Sequence, residues 1–356
     1  MIKKERIMFG WMGKIASIDL STGECDRRDL DENLASKYLG GRGLGVKLYT
    51  NLCSAATEPL SPENALIFMT GPLTGTVLTS GRYEVITRSP LTGTICDSSS
   101  GGSFGAGFKQ TGLDGLIITG KAEKPVYLYL TENHIEIRPA GHLWGLNTHQ
   151  TREAVLRETD AKAMIASIGP AGENLVPFAA IMNDQDRAAG RGGLGAVMGS
   201  KNLKAIAVKG SLPTRIKDSE GLKKLQQRID RLIDKDPVTG KSLPLLGTSV
   251  LVNIINAHGM FPTQNFRQGV FNDAEGISGE KIAELLLQGK SSCYRCPIAC
   301  GRKTETPDHS GEGPEYETLW AFGAQLGIND LTAITEANYA CNELGLDTIS
   351  TGSTIG

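Results

Sequence analysis

The sequence contains no uninterrupted apolar run of the roughly 18–20 residues that a bilayer-spanning helix needs, so no membrane role is expected. Its start, Met1-Ile-Lys-Lys-Glu-Arg6, lacks the apolar stretch of a secretory signal. Net charge is also nearly missing. Against 39 Asp and Glu stand 37 Lys and Arg, and the resulting −2 gives no general attraction to nucleic acid or acidic lipid. There is no Walker pattern, no Gly-x-Gly-x-x-Gly in a strand–helix setting and no low-complexity tail. Seven cysteines make an odd number, and three of them crowd into eight residues. That pattern argues against a disulfide framework and for a reducing, cytoplasmic setting with metal ligation.

What the chain does have is length and glycine. With 356 residues it can bury a large core, and it is expected to divide into two or three domains. Its 44 glycines are an excess. Glycine is costly in regular elements, so tight turns are expected, some of them around a cofactor. Up to about residue 210 the pattern is strand-rich. Candidate strands are 14–20, 65–69, 82–88 with one face that is wet or faces a ligand, a hairpin 126–130 and 134–137, then 164–168 and 205–208. The phrases Gly71-Pro-Leu-Thr-Gly75 and Ser89-Pro-Leu-Thr-Gly93 echo each other and read as turns. After Gly210-Ser-Leu-Pro213 the pattern turns helical. Leu222, Leu225, Ile229, Leu232 and Ile233 recur at helical spacing behind an Asp218/Ser219 cap. Further helices are expected over 282–287, just before the cysteines, and over 330–344. The fold class is therefore α+β: a β-rich base, 1–210, followed by a mainly helical region, 211–356, that carries the cysteines.

Those cysteines read Cys293-Tyr-Arg-Cys296-Pro-Ile-Ala-Cys300. Three adjacent thiolates repel one another and resist burial unless a metal centre takes up their charge. A zinc site would want a second Cys or His pair at finger-like spacing, and His309 is a poor lone candidate. A cubane iron–sulfur cluster with three local ligands and one distant ligand fits the spacing best. Cys25, Cys53, Cys96 and Cys341 remain, and each also reads as a small buried hydrophobe. Three glycine-rich stretches stand out beside them: Ser98-Ser-Ser-Gly-Gly102, Gly169-Pro-Ala-Gly172 and Arg187-Ala-Ala-Gly-Arg-Gly-Gly193. Each is either a structural turn or an anion cradle, in which exposed backbone N–H groups and arginines meet phosphate oxygens.

Taken together these segments resemble the aldehyde:ferredoxin oxidoreductases, a family of tungsten (or molybdenum) bis-pterin enzymes. The resemblance runs along essentially the whole chain. It is carried by Gly13-Lys-Ile-Ala-Ser-Ile-Asp-Leu-Ser-Thr-Gly23, Gly40-Gly-Arg-Gly-Leu44, Ile168-Gly-Pro-Ala-Gly-Glu-Asn-Leu175, the stretch 187–193, Gly313-Pro-Glu-Tyr-Glu317, Gly345-Leu-Asp-Thr-Ile-Ser350 and the cysteine trio. It implies a β-rich base on which two pterins lie, with helical domains bringing a 4Fe-4S cluster alongside. By that resemblance Cys293, Cys296 and Cys300 hold the cluster, and Arg82 sits between cluster and pterin. Ser99 and Gly101 line the pterin; the family often has Asn where Ser99 stands. Arg187, Ala188, Gly190 and Arg191 hold pterin phosphates, bridged by magnesium. The family's D-x-x-G-L-D motif is matched by Asn342, Leu346 and Asp347, with Asn replacing the first Asp.

The resemblance also gives Glu317 a catalytic role near the metal. A carboxylate there could take a proton from water or a hydrated aldehyde, although a carboxylate at a helix start also has a purely structural use. Glu336 matches a position where some relatives bind a metal between subunits through E-x-x-H. Here Tyr339 replaces the His, so a solvated or subunit-contact face is expected for Glu336, Tyr339 and Glu343. The implied reaction oxidises a small aldehyde plus water to a carboxylic acid with ferredoxin as acceptor, in a homodimer. A related subunit acting on an aromatic thioester and a non-catalytic fragment are the alternatives. The family's chains are longer, and Gly356 matches an internal turn of theirs. A second pterin motif and the distal cluster cysteine are therefore expected beyond it or on another chain.

Overall fold

The computed structural model describes residues 8–356; the reading of Met1–Arg6 lies outside them. The first half is built on two six-stranded sheets. The first contains β1 (Lys14–Asp19), β2 (Glu24–Asp29), β3 (Leu66–Met69), β4 (Tyr83–Arg88), β5 (Ile95–Ser100) and β6 (Gly115–Thr119), in the order β2-β1-β6-β3-β4-β5. The second contains β7 (Val126–Thr131), β8 (Ile135–Pro139), β9 (Met164–Ser167), β10 (Ile181–Asn183), β11 (Arg187–Ala189) and β12 (Leu203–Lys209), in the order β11-β10-β9-β12-β7-β8. Only β1–β6 and β7–β12 pair in parallel. The expected strands are all present.

Both sheets turn an apolar face toward one shared core. Ala16, Phe68, Val85 and Ile118 come from the first sheet, and Leu128, Ala166, Ile206 and Val208 from the second. Between them lie two short helices, Phe104–Gln110 and Leu194–Ser200, buried over nearly all their length. This is where part of the glycine excess goes. A Cβ on Gly105 would lie 2.6 Å from the Gly81 carbonyl oxygen, and one on Gly199 would collide with that of Gly172. Turns and cofactor loops were the expected use; backbone-to-backbone packing inside the core is a further one. The face of β4 expected to be wet or to face a ligand is covered by protein at its middle. Helix Gly41–Leu52 packs there, with Gly45 against the Ile86 side chain.

The second half is helical around its own core, including Val252, Phe261, Ile277, Leu319 and Ile334. The expected helix Ser219–Lys235 is present, with the Asp218 side chain accepting from Gly221 N at 2.8 Å. None of its residues is fully buried; of its apolar stripe Leu225 and Leu232 are exposed, while Leu222, Ile229 and Ile233 are partly covered. Two expectations need correction. The helix placed before the cysteines spans Gly279–Leu285; Leu287 already belongs to a strand. Within this mainly helical region lies a three-stranded antiparallel sheet: β13 (Leu287–Ser291), β14 (Gly301–Glu305) and β15 (Ser310–Glu312). Gly289 and the polar run after it end the helical periodicity there. The second correction concerns apolar length. A succession of helical pieces, Val238–Ala257, has mean hydropathy 1.3 and is long and apolar enough to cross a membrane by length and composition alone. Gly247 breaks it at φ 66°, and the Arg302 guanidinium donates to Pro244 O at 2.9 Å, tying it to β14.

The glycine packing yields a direct test. Gly199→Ala drives a methyl into the Gly172 carbonyl. It should cost about 1–3 kcal/mol, read by denaturant unfolding; an unchanged midpoint would show that the two backbones are not in contact.

Candidate functional site

The three cysteines occupy the loop of the β13–β14 hairpin, which Ser291 and Gly301 close as register partners. The loop is tightly folded. Arg295 and Ala299, each immediately before a cysteine, take φ of 50° and 48°, and Cys296 N donates to Cys293 O at 3.0 Å. Left-handed backbone at two non-glycine residues is held only by surrounding contacts. On the Arg295 side they come from the first half of the chain: Tyr294 N donates to Gly102 O at 3.0 Å and the Arg295 guanidinium to Thr76 O at 3.3 Å; at Ala299 the carbonyl accepts from Arg302 Nη2 of β14 at 2.6 Å. The end of β5 presses on the loop. A Cβ on Gly101 would sit 2.7 Å from Cys293 Sγ, so only glycine admits the sulfur there.

Beneath this contact opens a cavity of about 380 Å³. Arg82, Ser99 and Gly101 line one wall, and Arg82 Nη1 donates to Ser99 Oγ at 3.2 Å. Arg187, Ala188 and Gly190, on β11 and the turn after it, form the next. Cys293 and Cys300 face them, and Glu317, Asn342, Leu346 and Asp347 close the far side. Twelve of the fifteen residues singled out in the sequence thus line one space.

The other three lie outside it. Cys296 is in the cysteine loop but off the lining. Arg191 is off the lining, with a largely exposed side chain that donates from Nη1 to Asp347 Oδ2 at 2.8 Å. Asp347 in turn caps the last helix, accepting from Ile349 N at 3.2 Å. Glu336 stands apart, paired with His309 Nδ1 at 2.6 Å and with the Thr306 hydroxyl. Its expected solvated face is half covered: Tyr339 is buried and shares a 2.6 Å hydrogen bond with Thr304 of β14.

Several wall residues carried no signal in the sequence. Glu312 sits one residue before the Gly313-Pro-Glu-Tyr-Glu317 phrase, and only the unforeseen strand β15 places it under Arg187, 3.0 Å from Nη2. Thr248 and Asn338 also line the cavity, as does Glu315, which lies inside that phrase but was given no role there. Asp186, Arg187 and Glu312 form a wall shared with a larger polar cavity of about 660 Å³. Burial pushes the Glu312 carboxyl up, with Arg187 opposing. Burial alone would lower the Arg187 guanidinium; Glu312, Cys293, Glu315 and Cys300 together hold it above its ordinary value. Burial, followed by Glu315, raises the Cys300 thiol, as expected for a sulfur that ionises only when a metal takes its charge.

These features fit the groups that the sequence suggests. Gly101 leaves room only for a thiol, and Arg187 offsets thiolate charge. Among the described residues Glu84 Oε2 is buried without a hydrogen-bond partner; Glu84 is the register partner of Ser99 but does not itself line the cavity. No three His, Cys, Asp or Glu side chains among the described residues converge on a single ion position. A cluster asks for something different, since each thiolate takes a separate iron.

His149 borders the wall and gives a pH test. Its hydrogen bond to Asp186, 2.7 Å from Nε2, raises its pKa despite burial, aided by Glu343 and opposed by Arg152. A raised folded-state pKa adds stability that is full below about pH 6.5 and is lost as pH climbs through the folded value. The stability gap between wild type and His149→Gln should therefore be widest near pH 5.5 and narrow toward pH 8.5. A gap that widens with pH would contradict the pairing.

Comparison with known proteins places this geometry. Residues 15–210 match the model "Aldehyde ferredoxin oxidoreductase, N-terminal domain", and residues 224–356 match "Aldehyde ferredoxin oxidoreductase, domains 2 & 3". The chain is 53% identical to a tungsten-containing aldehyde ferredoxin oxidoreductase of Pyrococcus furiosus over 98% of its own length and 58% of the relative's. It is 52% identical to the Thermococcus kodakarensis protein of the same name, with the same coverage. It thus spans about 58% of the length of these relatives. Among solved structures, the active site complex BamBC of benzoyl coenzyme A reductase superposes with a TM-score of 0.85 at 29% identity, covering 96% of this chain and 54% of that one.

Proposed function

Because the chain belongs to the aldehyde ferredoxin oxidoreductase family, we propose that its cavity is the meeting place of a 4Fe-4S cluster and a tungsten–pterin group in an enzyme that oxidises aldehydes. The observation that carries this reading is the single cavity that joins the cysteine hairpin to the Arg82, Arg187 and Asn342–Asp347 segments. Cys293, Cys296 and Cys300 supply the cluster's local ligands. Arg82, hydrogen-bonded to Ser99, stands on the wall facing Cys293 and Cys300 and would span cluster and pterin. Ala188, Gly190 and Gly101 expose backbone where a phosphate or ring edge can approach. Arg187 and Arg191 supply guanidinium charge for phosphate oxygens, and magnesium would bridge them. Asn342 offers an uncharged amide on the same wall.

When bound, the metal–pterin group would supply two-electron redox chemistry and Lewis acidity, and the cluster would supply one-electron transfer chemistry toward ferredoxin. The overall balance is aldehyde plus water giving carboxylic acid, two protons and two electrons. Glu317, in the first turn of helix Tyr316–Leu319 and open to the cavity, would accept the proton from water or the hydrated aldehyde. The alternative, an aromatic thioester substrate as in benzoyl coenzyme A reductase, rests on the 29% identity to that structure against 53% to the aldehyde enzyme. A cytoplasmic homodimer completes the proposal.

The test is aldehyde-dependent reduction of ferredoxin or a viologen dye by anaerobically prepared protein. Glu317→Gln should lower kcat about 10²–10⁴-fold while the metal content stays unchanged. Full kcat in that variant would remove Glu317 from the chemistry, and turnover of an aromatic thioester but no aldehyde would favour the other substrate class.

A further inference from the structure

The position of Arg187 says more than phosphate binding requires. Its Nη2 donates to Ser291 Oγ at 3.2 Å and to Glu312 Oε1 at 3.0 Å. Ser291 also bonds Glu312 directly. Ser291 is the last residue of β13 and pairs across the hairpin with Gly301, the first of β14. A Cβ on Gly301 would collide with both Arg187 Nη2 and Ser291 Oγ. The guanidinium therefore lies on the closing pair of the very loop that carries all three cysteines, and glycine at 301 is what lets it lie there. Arg187 belongs to β11, in the second sheet of the first half. Its side chain is 17% exposed, so its charge is weakly screened, and it acts electrostatically on Cys293 and Cys300. Among the described residues its side-chain hydrogen bonds run through Nη2, while Nη1 lies 4.0 Å from Glu315 Oε1 on the cavity wall.

From this we infer that Arg187 is a positioning residue for the cluster: it clamps the base of the cysteine hairpin and its fixed positive charge raises the reduction potential of the iron–sulfur centre. The inference rests on the reading of the trio as cluster ligands. The physics is direct. Reduction adds a negative charge to a centre already carrying thiolates, and a buried cation beside two of them favours the reduced state. The clamp acts separately, through geometry, by fixing the strands from which the loop springs.

The experiment is a potentiometric titration of the cluster followed by electron paramagnetic resonance, on wild type, Arg187→Met and Arg187→Lys. Iron and sulfide counts, and the rate of iron loss to a chelator, accompany it. Arg187→Met should lower the midpoint potential by about 59 mV or more, a tenfold or greater change in the oxidised-to-reduced ratio for a one-electron couple. Arg187→Lys should restore most of that shift, because it keeps the charge. Ser291→Ala leaves the charge in place, so its potential should match wild type while its iron is lost severalfold faster. Loss of iron from Arg187→Met but not from Arg187→Lys also supports the assignment. A loaded Arg187→Met protein with the wild-type potential overturns the electrostatic role, as does a loaded Arg187→Lys protein whose potential stays at the Arg187→Met value. A Ser291→Ala protein that holds iron as tightly as wild type overturns the clamp. A wild-type chain without iron instead overturns the cluster reading itself, and this inference with it.

Discussion

Three thiolates in one short loop repel each other, and most of the architecture around the cavity can be read as a response to that repulsion. The loop cannot hold its own shape, since Arg295 and Ala299 sit in left-handed backbone. It is held from outside. The end of β5 supplies the Gly102 carbonyl and a glycine surface at 101, and the 76–79 turn grips Arg295. Arg187 brings a cation to the hairpin base. Almost every one of these contacts comes from the β-rich half of the chain, so the cysteine hairpin and the sheets form one functional unit even though their cores are separate.

Much of this was legible in sequence, and the reasons differ by element. The strands around Phe68 and Ile206 showed themselves as short apolar runs because they are buried on both faces. The cap at Asp218 was visible because its carboxylate sits where an unpaired helix N–H group needs an acceptor, and Asp330 turned out to cap its helix in the same way. The cavity residues were visible through motif resemblance, and twelve of them do share one wall system. What hid was long-range. Strand β15 is only three residues, Ser310–Glu312, too short for a period to register, so Glu312 gave no hint that it would meet Arg187. The partnership of Glu336 with His309 was likewise invisible, since nothing local links residues on a loop and a helix.

Glycine shows how one composition figure can have two physical causes. Gly101 and Gly301 admit a sulfur and a guanidinium at the site. Gly105, Gly195 and Gly199 let two helices lie backbone-to-backbone against their neighbours between the sheets. The first kind serves chemistry and the second serves packing; sequence alone does not separate them.

Metal and cofactor analysis of anaerobically purified protein tests the central claim most directly: that one cavity in this chain brings a cluster and a metal–pterin group together. The account predicts tungsten or molybdenum and iron in a ratio near one to four, with pterin and acid-labile sulfide present. Iron and sulfide without tungsten, molybdenum or pterin would leave the cysteine hairpin as a cluster site but contradict the assignment of Arg82, Ser99, Arg187 and Asp347 to a pterin-holding wall.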